Sequence, residues 1–285
     1  MFRIADSTGF APAPTREPKN LGFFRFDGNV VGGALIGAGM AFTGACPGTA
    51  FVQAAASIAT GTTVLVGGVL GALLFRFLSP TIDRLKEQAR KIPLTRSTAS
   101  IGPWTMLAGW ELMCAAVIGG AMMLDPSRGQ ATIGIVDPVT GGLLIGLAQA
   151  ASMVLRKQSV GMSTAYGDCS CWIQELGGQK DTTATTKGYI ARLFTPAVTF
   201  VGGAFLGARL LSHGWPDMST AHVSATGTEQ MLAFWGGVVM IFGARLAGGC
   251  TSGHGISGMS AFAPSSIVSV AAMFAAGTLT AYSLR

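Results

Sequence analysis

From Gly28 through Phe75 the chain carries no Asp, Glu, Lys or Arg, and from Leu246 through Leu284 it again carries none. Stretches of this length lack the polar surface that water would demand, whereas a bilayer crossing needs roughly 20 apolar residues per helix. Composition points the same way: charged residues are 11% of 285 and the mean hydropathy is +0.50, which leaves too little polar area to cover a soluble globule. The expected fold class is all-α, a polytopic protein in contact with the lipid bilayer.

The first uncharged run is too long for one helix. It divides into spans at 29–45 and 61–75, with Cys46-Pro47-Gly48-Thr49 and a short apolar segment at 50–59 between them. Further spans are expected at 103–124, 139–155, 193–211, 230–248 and 265–284, for about seven crossings in all. Residues 1–28 read as a cytoplasmic N-terminal tail with no signal-peptide core. Residues 29–285 form a single membrane-embedded domain, with pseudo-repeats at about 29–135 and 136–285. Basic residues gather in the tail and in two connectors (Arg84, Lys86, Arg90, Lys91, Arg96; and Arg156, Lys157, Lys180, Lys187, Arg192), while the alternate connectors offer Arg128 alone. Cations accumulate on the cytoplasmic side of short loops, so the N-terminus is placed inside and Arg285 outside. The net charge of +6 is thereby read as topology and not as a nucleic-acid surface. The connector from Pro80 has Ile82, Leu85, Ala89 and Ile92 near helical spacing and reads as an amphipathic interfacial helix.

Displacing the chain by 204 residues superposes Gly32, Gly33, Gly39, Gly44 and Cys46 on Gly236, Gly237, Gly243, Gly248 and Cys250, five identities in fifteen positions. The loop charges make the two matched spans run in opposite directions, so they are read as an inverted repeat. Repeats of this kind place a substrate site near the midplane, where broken helices meet. Each matched span ends at a glycine and a cysteine and is followed by a short re-entrant helix, whose N-terminal amides favour an anion. A third, weaker copy opens at Gly141-Gly142 and ends at Gly161-Met162-Ser163-Thr164 without a cysteine.

Leu246-Ala247-Gly248-Gly249-Cys250-Thr251-Ser252-Gly253-His254-Gly255 and Phe42-Thr43-Gly44-Ala45-Cys46-Pro47-Gly48-Thr49 resemble the two glycine-cysteine hallmarks of the YeeE/YedE sulfur-transport family. Val160-Gly161-Met162-Ser163-Thr164 resembles its cysteine-free counterpart. The resemblance runs over about residues 29–284 and implies a narrow membrane protein that passes thiosulfate or a related sulfur anion inward by transient hydrogen bonds to successive cysteines. By position, Cys46 and Cys250 take two of those roles. The family's opening unit, of the type Gly-Arg-x-Cys, has no match here. Another cysteine, such as those of the 169–171 segment, a partner chain, or a sulfur acceptor in the cytoplasm is therefore expected to complete the path.

The expected substrate site comprises Cys46, Cys250, Gly44, Gly248, Gly249, Ser163 and His254, with Cys169 and Cys171 as a thiol station. A thiol is a weak donor and soft acceptor, suited to touching a sulfur anion without trapping it, as conduction requires. Asp168-Cys169-Ser170-Cys171-Trp172 falls in a cytoplasmic connector, where two close thiols would act as a redox pair, a sulfur acceptor or a structural loop. An alternative function, membrane thiol oxidoreductase or sulfurtransferase, rests on that pair. No second Cys pair or His cluster accompanies it, so neither zinc nor any cofactor is expected. Cys114 reads as a small buried hydrophobe. Glu111 and Arg245 interrupt expected spans, where a charge is costly and marks a functional position or a pair. Trp104, Trp110, Trp215 and Trp235 suit interfacial belts. No phosphate-cradling G-x-x-x-x-G-K-[ST] run occurs, so ATP-driven transport would need a partner.

Overall fold

The computed structural model describes residues 17–89, 103–124, 138–156, 161–176, 195–214 and 226–284. Regular structure in these residues is helical: α1 (Asp27–Thr43), α2 (Thr49–Ala55), α3 (Gly61–Ala89), α4 (Pro103–Leu124), α5 (Pro138–Arg156), α6 (Ser163–Leu176), α7 (Pro196–Gly214), α8 (Gly227–Ala247), a π-helical turn (Ser252–Gly258) and α9 (Pro264–Ser283). Each expected span falls on one of the longer helices. Three segments, Gly61–Arg84 within α3, Gly227–Ala247 and Pro264–Ser283, are long and apolar enough to cross a membrane. The chain is a multi-pass membrane protein.

Two compact units divide it, Met1–Ile92 with Leu144–Arg285, and Pro93–Leu143. The smaller unit contains α4, on which Glu111 is exposed and Cys114 half-buried. The larger unit is organised around α1, which packs against α8 and α9, while α8 also packs on α3. Glycines allow the close approach. A Cβ built at Gly32 would lie 2.7 Å from the Gly243 carbonyl oxygen, and one at Gly39 would lie 2.7 Å from that of Gly236. Rising numbers on α1 thus meet falling numbers on α8, so the two helices are antiparallel, with backbones in contact as small residues permit in lipid.

The segments on either side of this pair follow one plan. Helix α1 ends at Gly44 with φ +61°, and α8 ends at Gly248 with φ +77°, the left-handed conformation that glycine adopts without steric cost. A cysteine follows each break. Next comes a short helical piece, α2 or the π-turn, and each closes with the same hydrogen-bond pattern. Ser57 N–H donates to Ala54 O and Ile58 N–H to Gln53 O, as Phe262 N–H donates to Met259 O and Ala263 N–H to Gly258 O. These are Schellman closures, with Ser57 (φ 58°) and Phe262 (φ 56°) in the left-handed position. A long helix, α3 or α9, then begins.

Two expectations about element ends are corrected. Residues 61–75 and the amphipathic stretch beyond Pro80 are one continuous helix, because α3 runs through Pro80 to Ala89. Proline removes the N–H that would bond the carbonyl four residues earlier; here that carbonyl belongs to Arg76, and Ser79 Oγ donates to it at 2.8 Å. The end of the expected tail is also structured. Asp27, buried, accepts from the N–H groups of Leu21 (2.6 Å) and Phe23 (2.9 Å), and Asn29 accepts from Lys19 N–H at 2.8 Å while donating to Ser269 Oγ at 2.9 Å. Residues 1–16, the side chains of Trp104, Trp110 and Trp215, and the connectors bearing Arg90, Lys91, Arg96, Arg128, Lys157, Lys180, Lys187 and Arg192 lie outside the described residues and side chains. Trp235 is exposed, edge-on to Phe234.

Candidate functional site

Cys46 sits two residues past the left-handed Gly44, in the turn that opens α2. Its backbone N–H donates to Thr49 Oγ1 at 2.7 Å, and the Thr49 N–H donates to Cys46 Sγ at 3.3 Å. The amide expected to be open for an anion is therefore engaged by the thiol itself. The Cys46 sulfur thus accepts from the backbone, and its S–H proton takes no part in that bond. Tyr166 of α6, 1% exposed, donates its hydroxyl to Pro47 O at 3.0 Å and packs its ring on Phe51 at 4.8 Å between centroids. A Cβ at Gly48 would lie 2.5 Å from Met162 Sδ, so the bare Gly48 backbone lets the Met162 thioether sit against the Cys46 turn.

Cys250 occupies the corresponding position after α8 and is fully buried. Its sulfur lies 3.1 Å from Ser252 Oγ and also interacts with the Gly253 N–H and with both the hydroxyl and the N–H of Ser163, the first residue of α6. Ser163 thus joins the site by holding the Cys250 thiol. Gly248 and Gly249 shape the break: Gly249 N–H donates to Ala244 O at 2.9 Å. His254 is buried and turned away, with Nδ1 2.9 Å from Ser266 Oγ and Nε2 3.2 Å from Ala247 O. A carbonyl only accepts, so Nε2 carries a proton, and the ring fastens the π-turn to the end of α8 and to α9.

Between the two breaks lies a cavity of about 350 Å³ with nearly all-apolar walls, bordered by Cys46, Thr49, Met162, Thr251 and Ser252, together with Gln149 of α5 and Phe200 of α7. At about 30 Å³ per water molecule it has room for a small anion with part of its hydration. The structure brings Cys46 to the wall. It sets Cys250 one layer back, behind Ser252. Gly44, Gly248, Gly249 and His254 are outside the lining.

The segment with the remaining thiols is not the connector that the sequence suggests. Residues 163–176 form α6, packed against α3, α8 and α7. Cys169 and Cys171 are both half-buried free thiols, and residues two apart on a helix do not face each other, so a redox pair between them is disfavoured. Cys171 instead accepts from Arg76 Nη1 of α3 at 2.9 Å. Arg245 of α8 feels Cys171, Asp168 and Arg76, and it lies so close to α6 that a Cβ on Gly167 would sit 2.8 Å from its Nη1. Asp168 is the acidic residue that follows Gly167 on α6. Asp168 also accepts from Thr195 Oγ1 at 2.8 Å. Sequence reading missed Tyr166, Thr49 and Arg76 as well. Thr49 and Met162 stood inside the sequence motifs without a role assigned to them, whereas Arg76, the first charge after an apolar run, looks like any loop cation. Among the described residues, no cluster of three or more His, Cys, Asp or Glu could hold a metal.

Comparison with known proteins adds a separate line of support. A family profile described as "Sulphur transport" matches residues 2–280. Proteins of Xylella fastidiosa strains 9a5c and Temecula1, each described as a probable transporter, are 30% identical over 149 residues, which is 50% of this chain and 90% of each relative.

Proposed function

The chain belongs to the sulphur transport family, and from that premise we propose that it conducts a small sulfur-containing anion such as thiosulfate past Cys46 and Cys250, without hydrolysing ATP. The observation that carries this reading is the cavity at the two cysteine-bearing breaks, with Cys46 and Ser252 on its wall and the Cys250 sulfur 3.1 Å behind Ser252 Oγ. The anion takes a weak hydrogen bond from Cys46, whose sulfur lone pair is already engaged by Thr49 N–H, and then one from Ser252. Rotation of Ser252 opens the way to the Cys250 thiol. Each contact is weak and local, which lets the ion leave as readily as it arrives.

We further infer that α1–α2–α3 and α8–π-turn–α9 are inverted repeats in a protein of about seven crossings, N-terminus inside. Support comes from the left-handed glycines 204 residues apart, from the matched Schellman closures, and from the antiparallel α1–α8 contact. In that contact Gly32 meets Gly243 and Gly39 meets Gly236, the exchange of partners that a two-fold axis produces. Relatives matched over half of this chain fit a duplicated architecture.

Uptake of radiolabelled thiosulfate into proteoliposomes tests the substrate and the path together. The wild-type chain should accumulate label, and Cys46→Ala and Cys250→Ala should each reduce uptake to the protein-free background while remaining monodisperse in detergent. Full uptake by both variants would sink the cysteine path, and no uptake by the wild type would sink the substrate assignment.

A further inference from the structure

The Arg76–Cys171–Arg245 cluster lies outside the cavity lining, and conduction past Cys46 and Cys250 makes no use of it. We propose that Cys171 is a sulfur-acceptor thiol, which takes the outer, sulfane sulfur of thiosulfate as a persulfide and releases sulfite. This rests on the reading that thiosulfate is the anion that reaches it.

Three observations converge. The Arg76 Nη1 to Cys171 Sγ contact, 2.9 Å, is shorter than the backbone N–H contact to Cys46, 3.3 Å, and it sets a permanent positive charge against the sulfur that would attack. The thiolate is the attacking form. A second guanidinium, Arg245 of α8, lies against the same helix, so close that a Cβ on Gly167 would sit 2.8 Å from its Nη1, and Gly167 is one turn before Cys171 on that face of α6. Two guanidiniums beside a nucleophile are also what a doubly charged oxyanion leaving group requires. Finally, Cys171 is only half-buried, so the residue is not sealed inside the packing.

The step is balanced without any further reactant. Cys171 sulfur attacks the sulfane atom, a new S–S bond forms, and the S–S bond of thiosulfate breaks with its electron pair leaving on sulfite. The thiol proton passes to the new terminal sulfur or to water, so Cys171–SH and thiosulfate give Cys171–S–SH and sulfite. The transferred sulfur is retained on the chain. Sulfate and sulfite, lacking a sulfane atom, cannot load it.

The test uses the full chain in detergent, where both faces are open and no transport is needed, incubated with thiosulfate labelled in its outer sulfur. Label should be retained on the protein, be released by dithiothreitol, map by peptide mass to Cys171, and match sulfite released one for one. Cys114→Ala, on α4 and outside the cavity lining, should label normally, and because labelling in detergent needs no uptake, its outcome is separate from that of the transport assay. Arg76→Gln should slow labelling about a hundredfold, at the low end of what loss of an oxyanion donor does, with Arg76→Lys recovering part of the rate. Absence of retained label on the wild type, or label mapping to Cys169, would overturn the proposal. Because the label is mapped on the wild-type chain, the result does not depend on whether Cys171→Ser folds.

Discussion

Tyr166 connects two parts of the site through a single oxygen. Its hydroxyl bonds Pro47 O at 3.0 Å, in the turn that follows Cys46. Tyr166→Phe keeps the ring against Phe51 and removes only the donor, leaving a buried carbonyl unpaired at a cost of about 1–3 kcal/mol. We expect a lower melting temperature in detergent and reduced thiosulfate uptake, because the Cys46 turn loses its tether. An unchanged melting temperature would mean that water replaces the phenol. Nothing in the residue pattern announces this role, since Tyr166 falls in a polar segment with Asp168 and Glu175, which reads as a loop. Cys46 and Cys250 are legible because a thiol beside a helix-ending glycine repeats 204 residues apart. That Cys250 is fully buried and Cys46 is not depends on what α6 brings against each break, and spacing along one segment carries no such information.

At the level of elements, the antiparallel α1–α8 pair rests on glycines whose hydrogens face the other helix's backbone. A Cβ at Gly39 would lie 2.5 Å from the Met240 Cβ and 2.7 Å from the Gly236 carbonyl oxygen, so the helices must part to admit it. Gly39→Val should destabilise the protein by roughly 1–3 kcal/mol, as overpacking does. The control is Gly207→Ala on α7, where a Cβ meets nothing within 4 Å and the change should be neutral or stabilising by about 0.5–1 kcal/mol. Thermal melts of both variants by size-exclusion recovery check the pair, and equal losses would refute glycine-mediated packing. The long apolar helices are legible from the absence of charge. Helix α6 is not, because its polar residues are satisfied by tertiary contacts such as Arg76–Cys171 and Thr195–Asp168, which no local periodicity reports.

For the molecule as a whole, the proposed orientation predicts that single cysteines introduced near Arg90 and Lys180 label only after the cell membrane is permeabilised, and that those near Gln130 and Ala221 label in intact cells. The reverse pattern would invert the protein in the bilayer without disturbing the relation between the two halves, which depends on α1 and α8 being antiparallel. The cavity between the breaks has nearly all-apolar walls, and an ion that enters it exchanges water for carbon and sulfur. Stripping a hydration shell is the dominant cost of moving charge into such a space, so ions should be ranked by how loosely they hold water before they are ranked by shape. Competition against thiosulfate uptake should therefore follow the lyotropic series, with thiocyanate and iodide strong and sulfate weak, and of two dianions of like charge the one that ends in a large, soft sulfur gives up its water at the lower cost.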